Sequence, residues 1–198
     1  MPLRQNRPMD RTLIEPETSR LRLRQWRESD LAPFAALVAD PKVMEFFPAT
    51  LSRAESDALV ARFVERIEQN GWGFWAAEHK ESGELIGFTG LNAPAYPLPF
   101  SPCVEIGWRL ARQWWGQGLA SEAARASLAV GFERLGLDEI VSFTALPNRR
   151  SSAVMQRLGM REDPAGAFDH PLLAEGHPLR RHCLYRLDRA AWQAQQGA

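Results

Sequence analysis

Cysteine is scarce: Cys103 and Cys183 are the only two in 198 residues, they lie far apart, and neither belongs to a Cys-x-x-Cys pair. A disulfide framework and a thiolate zinc site are therefore not expected, and a reducing cytoplasm is the expected compartment. Net charge is also missing, with 24 basic residues against 24 acidic ones. No global positive field exists to hold nucleic acid, so no nucleic-acid partner is expected. No apolar run reaches membrane-spanning length, and the polar, Pro-containing first residues lack the apolar stretch of a secretion signal. No membrane partner follows. The P-loop pattern GxxxxGK[ST] is absent, and so is GxGxxG, which disfavours a nucleoside triphosphate or a dinucleotide.

What remains is the composition of one globular domain, 45% hydrophobic and 24% charged. Residues 1–18 read as a flexible N-terminal arm, 19–192 as the domain and 193–198 as a tail. "SRLRLRQW" alternates Leu21 and Leu23 with arginines, a strand with one buried face. Ser29 or Asp30 caps a helix ended by Pro41. Ser52 and Glu55 form a capping box for a second helix, which Asn70-Gly71 stops. Two strands, "GFWAAEH" and "ELIGFTGL", precede the four-proline loop Asn92–Cys103. Then come the strand "VEIGWRL", a glycine bend, a helix from about Ala120 to Leu135, the strand "EIVSFTAL", a short helix closed by Gly159, an irregular stretch over 161–178 and a last strand "RHCLYRLD". Consecutive strands in the middle exclude a doubly wound nucleotide fold. A mixed α+β sheet flanked by helices is expected.

The bend Gln113-x-x-Gly116-x-Gly118-Leu119-Ala120 joins a strand to a helix. Glycine permits backbone angles closed to other residues and lets the main chain approach a ligand. The converging N–H groups and the positive end of the helix dipole can hold an anion without a lysine. An ordinary turn is the alternative.

Three blocks in order resemble the GCN5-related N-acetyltransferase (GNAT) family over about residues 18–192: "EIGWRL", the [Arg/Gln]-x-x-Gly-x-[Gly/Ala] loop at Gln113–Gly118, and "NRRSSAVMQRLGM" at Asn148–Met160. The branch resembled is that of the ribosomal-protein N-terminal acetyltransferases. The resemblance implies a mixed, mostly antiparallel sheet of about seven strands with a splay between two central strands. It implies acetyl-CoA as co-substrate, no metal, and an amine acceptor, in a monomer or a homodimer. The pyrophosphate would lie on the N–H groups of Gln113, Gly116, Gln117, Gly118, Leu119 and Ala120. The pantetheine arm would pair with the backbone of Ile106, Gly107, Trp108, Arg109 and Leu110, with Asn148 and Ser151 on its far side. A non-catalytic acyl-CoA-binding module on the same fold is the alternative function.

Acetyl transfer to a nitrogen needs an unprotonated amine, and Glu105 is the candidate general base. A structural ion pair with Arg109, on the same strand face, is the competing reading. Many family members carry a tyrosine seven residues after the asparagine. Met155 stands there, so Ser151, a water or the more distant Tyr185 is the candidate acid. Trp72 and Trp75 are candidates for an acceptor pocket, while Trp114 and Trp115 read as loop packing. Arg149 or Arg150 is expected near the coenzyme's 3′-phosphate. Asp169, His170, His177 and His182 are irregularly spaced for a metal, and a substrate-pocket or hydrogen-bonding role is preferred.

Overall fold

The computed structural model describes residues 13–197. Its sheet has eight strands: β1 (Leu21–Arg24), β2 (Phe74–His79), β3 (Leu85–Asn92), β4 (Glu105–Leu110), β5 (Glu139–Ala145), β6 (Arg161–Glu162), β7 (Phe168–Asp169) and β8 (Arg181–Asp188). The order is β1-β2-β3-β4-β5-β8-β6, with β7 also on β8. Every pairing is antiparallel except β4–β5. That parallel ladder holds one residue pair, Glu105 with Val141, whereas β4 pairs with β3 over its whole length. The two strands therefore part beyond Glu105, which is the expected splay.

The helices are α1 (Leu31–Ala39), α2 (Arg53–Asn70), α3 (Leu119–Ala129), α4 (Arg149–Arg157) and α5 (Arg189–Gln196). The α2 box forms as expected: Ser52 Oγ accepts from the Glu55 N–H, and the Ser52 N–H donates to Glu55 Oε2 at 2.8 Å. Gly71, at φ 81°, ends the helix in the left-handed region. Asp30 does not cap α1. Both its oxygens are taken by the Arg24 guanidinium, at 2.7 and 2.9 Å. Arg24 is itself buried, contrary to a strict polar-out alternation on β1, and also donates to Glu78 on β2 at 2.7 Å. The helix expected to run to Leu135 is α-helical only to Ala129 and widens into a π-turn over Val130–Arg134. The stretch expected to be irregular supplies the two-residue strands β6 and β7.

Of the arm expected over 1–18, residues 1–12 lie outside the described residues. Residues 13–18 are tied down: the Ile14 N–H donates to Gly71 O at 2.8 Å, the Leu23 N–H to Pro16 O at 2.9 Å, and Thr18 Oγ1 to Glu122 on α3. At the other end, α5 runs through the segment read as a tail. Its Trp192 is buried and stacks on Phe132, centroids 5.6 Å apart.

Side-chain parity assigns the two faces of the sheet. Phe88 of β3 and Phe74 of β2 pack with Phe63 of α2 and Phe34 of α1. Leu91 and Ile106, directly opposite each other on β3 and β4, join Ala124 and Leu128 of α3 on the reverse face. Glu105, Gly107 and Arg109 consequently stand on the α1–α2 face.

Candidate active site

A cavity of about 1100 Å³ enters the splay and opens on both sides of β4. Five of the expected backbone contacts, Ile106, Gly107, Trp108, Arg109 and Leu110, line it together with Ser142, Phe143 and Thr144 of β5. Gly116, Gly118, Leu119 and Ala120 form its floor at the start of α3, and Asn148 and Ser151 its far wall. Gln113 and Gln117 do not line it. The Gln117 amide instead donates back to Gln113 O at 3.0 Å and braces the loop.

Gly116 and Gly118 adopt φ 75° and 77°. Neither glycine is required for space, since a Cβ at Gly116 would meet nothing and one at Gly118 only Arg20 Nη2 at 3.7 Å. The left-handed backbone is the reason for glycine here. No side chain caps α3, so the first N–H groups of the helix carry no side-chain acceptor. The loop is stapled from behind: Arg20 donates to Gln117 O at 3.0 Å and to the Glu122 carboxylate. Asn148 is fully occupied. Its Oδ1 accepts from the Ser151 N–H at 3.2 Å as the cap of α4, and its Nδ2 donates to Thr144 Oγ1 at 2.8 Å and Ser151 Oγ at 3.0 Å.

Glu105 is the only carboxylate among the described residues that line the cavity. The competing ion pair with Arg109 does not form. Glu105 instead accepts a 2.7 Å hydrogen bond from Asn92 Nδ2, its cross-strand partner in the β3–β4 ladder. Burial pushes its carboxyl up to about 7, against smaller lowering contributions from Asn92 and from the charge of Arg66. Arg109 has no anionic partner among the described residues. Its guanidinium lies over Phe47 at 3.8 Å, and Nε and Nη1 are enclosed without a hydrogen-bond partner.

Other expectations are corrected. Trp75 is a fully buried core residue and Trp72 packs against the core; neither lines the cavity. Trp114 and Trp115 do line it, besides packing the loop, where Trp115 Nε1 donates to Leu110 O at 2.8 Å. Tyr185 is outside the cavity lining and donates to Glu162 at 3.2 Å, so it is no candidate acid. Met155 and Ser151 do line it. Arg150 reaches the rim, paired with Glu45 at 2.7 Å and stacked over Trp115, while Arg149 does not line the cavity. His170 and His182 line one end with rings 4.9 Å apart, and burial together with the neighbouring His182 pushes His170 down to about 4. His177 lies outside. Among the described residues no group of three or more His, Cys, Asp or Glu side chains is placed to hold a metal.

Phe46 and Phe47 of the α1–α2 loop, Arg62 and Arg66 of α2, Asn92 and Tyr96 also wall the cavity; the sequence did not single them out individually. Only the register that sets Asn92 against Glu105 could have singled out that residue.

A splayed β4–β5 pair, a glycine-bounded helix start and a largely enclosed carboxylate at the head of the splay meet in this one cavity. The chain belongs to the acetyltransferase (GNAT) domain family, whose model matches residues 20–161. It is 32% identical over 145 residues to the Uncharacterized protein YkkB of Bacillus subtilis, covering 72% of this chain and 83% of that one. Among solved structures it resembles the acetyltransferase from Agrobacterium tumefaciens at TM-score 0.71 and 28% identity, over 89% of this chain and 95% of that one. A GNAT-family acetyltransferase from Bacillus anthracis shares the fold at TM-score 0.74 and 21% identity, over 89% and 99% of the two chains.

Proposed function

We propose that the chain is a cytoplasmic N-acetyltransferase that moves the acetyl group of acetyl-CoA to the nitrogen of a primary amine. The observation that carries this reading is Glu105, the single carboxylate among the described residues of the cavity, held by Asn92 with its carboxyl raised to about 7 at the point where β4 and β5 part. A carboxylate of that basicity removes a proton from an acceptor ammonium near neutral pH. Glu105 passes this proton to solvent, the freed nitrogen attacks the thioester carbon, and as the carbon–sulfur bond breaks the nitrogen gives up its second proton, either to the Glu105 carboxylate or to the departing sulfur, so that amide and free CoA are the products. Backbone N–H groups of Ile106–Trp108 polarise the thioester carbonyl. The departing thiolate is a weak base and needs little acid help. Ser151 Oγ, in the cavity wall, is the candidate replacement for the tyrosine hydroxyl absent at Met155.

Acetyl-CoA fits this chain's residues. The diphosphate finds the uncapped N–H groups of α3 behind Gly116 and Gly118, and Arg20 offsets the Glu122 charge in the same turn. Arg150, at the rim, is the candidate partner for a further phosphate in exchange for Glu45. The test is free-thiol release on incubation with acetyl-CoA and a panel of primary amines. Release that depends on the amine is expected. Binding of acetyl-CoA with no release on any amine would assign the non-catalytic alternative.

A substitution isolates the loop. Gly118→Ala forces a Cβ into the left-handed region, at about 1–2 kcal/mol, and so disturbs the turn that presents the N–H groups of α3. The expected result is a Kd for acetyl-CoA raised about tenfold or more by calorimetry. An unchanged Kd removes the loop from coenzyme binding.

A further inference from the structure

Arg109 has every property of an anion receptor except the anion. Its Nε and Nη1 are enclosed without a partner, and Nη2, which makes no hydrogen bond among the described residues, is the nitrogen left open to the cavity. Buried guanidinium groups in proteins are ordinarily paired. Arg24 in this same chain shows the usual solution, with two carboxylates around one buried guanidinium. Arg109 has aromatic faces instead, Phe47 at 3.8 Å and Phe88 at 5.4 Å, which orient the planar fork without neutralising it. Burial with no compensating anion pushes it down to about 10.

Its side chain lies on the other face of the sheet from the glycine loop, whatever its backbone offers the pantetheine arm. Arg109 is the cross-strand partner of Phe88 and shares the α1–α2 face with Glu105. The glycine loop belongs to α3, which packs on the reverse face. Arg62 and Arg66 of α2 line the same side, and Arg66 is already engaged by Asn92 and Ala93 O. Arg62, Arg66 and Arg109 against the lone Glu105 make this wall hostile to a polycation and receptive to an anion.

We propose that Arg109 binds a carboxylate of the acceptor, so that the substrate class is a primary amine carrying a carboxylate at a fixed distance from the nitrogen. The inference rests on the transferase reading above, with the amine at Glu105. Four residue steps along β4 separate Glu105 from Arg109, about 13 Å between Cα positions at roughly 3.3 Å per residue. An extended acceptor of about four residues spans that Cα–Cα interval, and the reach of the two long side chains shortens the need to as few as two. The planar fork of Arg109 suits a two-oxygen carboxylate better than a point charge.

The test uses glycine oligomers of one to five residues, each as the free acid and as the carboxamide. Each is assayed for acetyl-CoA-dependent thiol release and, independently, for equilibrium binding to the full chain in the presence of CoA. The expected result is an acid-over-amide preference of about tenfold or more, greatest at two to four residues. That preference should fall to about one in Arg109→Met and to an intermediate value in Arg109→Lys, which keeps a charge but not the fork. The wild-type ratio tests the proposal even if a variant fails to fold. Equal use of acids and amides by the wild-type protein overturns it, as does a preference that survives Arg109→Met. Acid-selective, Arg109-dependent binding without thiol release would uphold the carboxylate site while overturning the transferase reading. Transfer with no acid preference would do the reverse.

Discussion

Glu105→Gln lowers kcat/KM by a factor of about 100–10,000, the range expected when a positioned general base is removed. The amide keeps the volume and still accepts from Asn92, so the cavity and its affinity for acetyl-CoA persist while proton removal is lost. The pH profile is the sharper readout. With the Glu105 carboxyl at about 7, wild-type kcat/KM climbs through that pH as the base ionises, and this limb disappears in the variant. Stability moves the opposite way. Below the ordinary carboxylate range both folded and unfolded states hold the proton. Between that range and about 7 the unfolded chain releases it and the folded one retains it, so Glu105 costs stability progressively as pH rises. Glu105→Gln therefore has a higher Tm than wild type at pH 8 and nearly the same Tm at pH 4. A variant that keeps the wild-type pH limb takes Glu105 out of the reaction. One that is less stable at pH 8 makes its role structural.

Arg24→Met lowers stability by about 3–5 kcal/mol, because it strands buried carboxylates instead of merely removing contacts. Glu78 keeps Arg22 at 3.3 Å and Arg27 at 3.1 Å. Asp30 loses both its bonds to a guanidinium and retains only the Arg27 N–H at 2.8 Å. For a domain of this size the change corresponds to a Tm roughly 6–20 °C lower. Adding Asp30→Leu to Arg24→Met removes the stranded charge and recovers part of the loss. A shift below about 2 °C in the single variant would show the network to be energetically neutral. The consequence reaches the site. Arg24 joins β1, the turn before α1 and β2, and α1 leads into the loop whose Phe46 and Phe47 wall the cavity. The thermal loss should bring weaker acceptor binding, measurable as a raised KM at temperatures where the variant is still folded.

Much of this architecture was legible because local signals are short-ranged. Apolar positions two apart on Leu21–Leu23 and on Val104–Leu110, the Ser52 capping box and the left-handed glycines at 71, 116 and 118 each depend on neighbours in the chain. The loop at Gln113–Ala120 was readable for the same reason. Misreadings arose where a distant group competed. Asp30 had the form of a helix cap, yet a buried guanidinium from β1 attracts a carboxylate more strongly than backbone N–H groups do. Trp72 and Trp75 had the composition of a cationic pocket, but burial of large apolar area drew them to the core. Trp114 and Trp115 read as packing alone because nothing local shows that their loop borders the splay.

The sequence by itself determined the faces of β4, both ends of α2, the glycine turn before α3 and, through the order of its motif blocks, the family. Parity along "VEIGWRL" was enough to set Glu105 and Arg109 on one face. Only the tertiary structure decided what each of them meets there. Strand register set Asn92 against Glu105 and left Arg109 beneath Phe47 with no carboxylate in reach among the described residues. Register and loop closure are fixed by contacts between residues far apart in the chain, and side-chain periodicity carries no information about them.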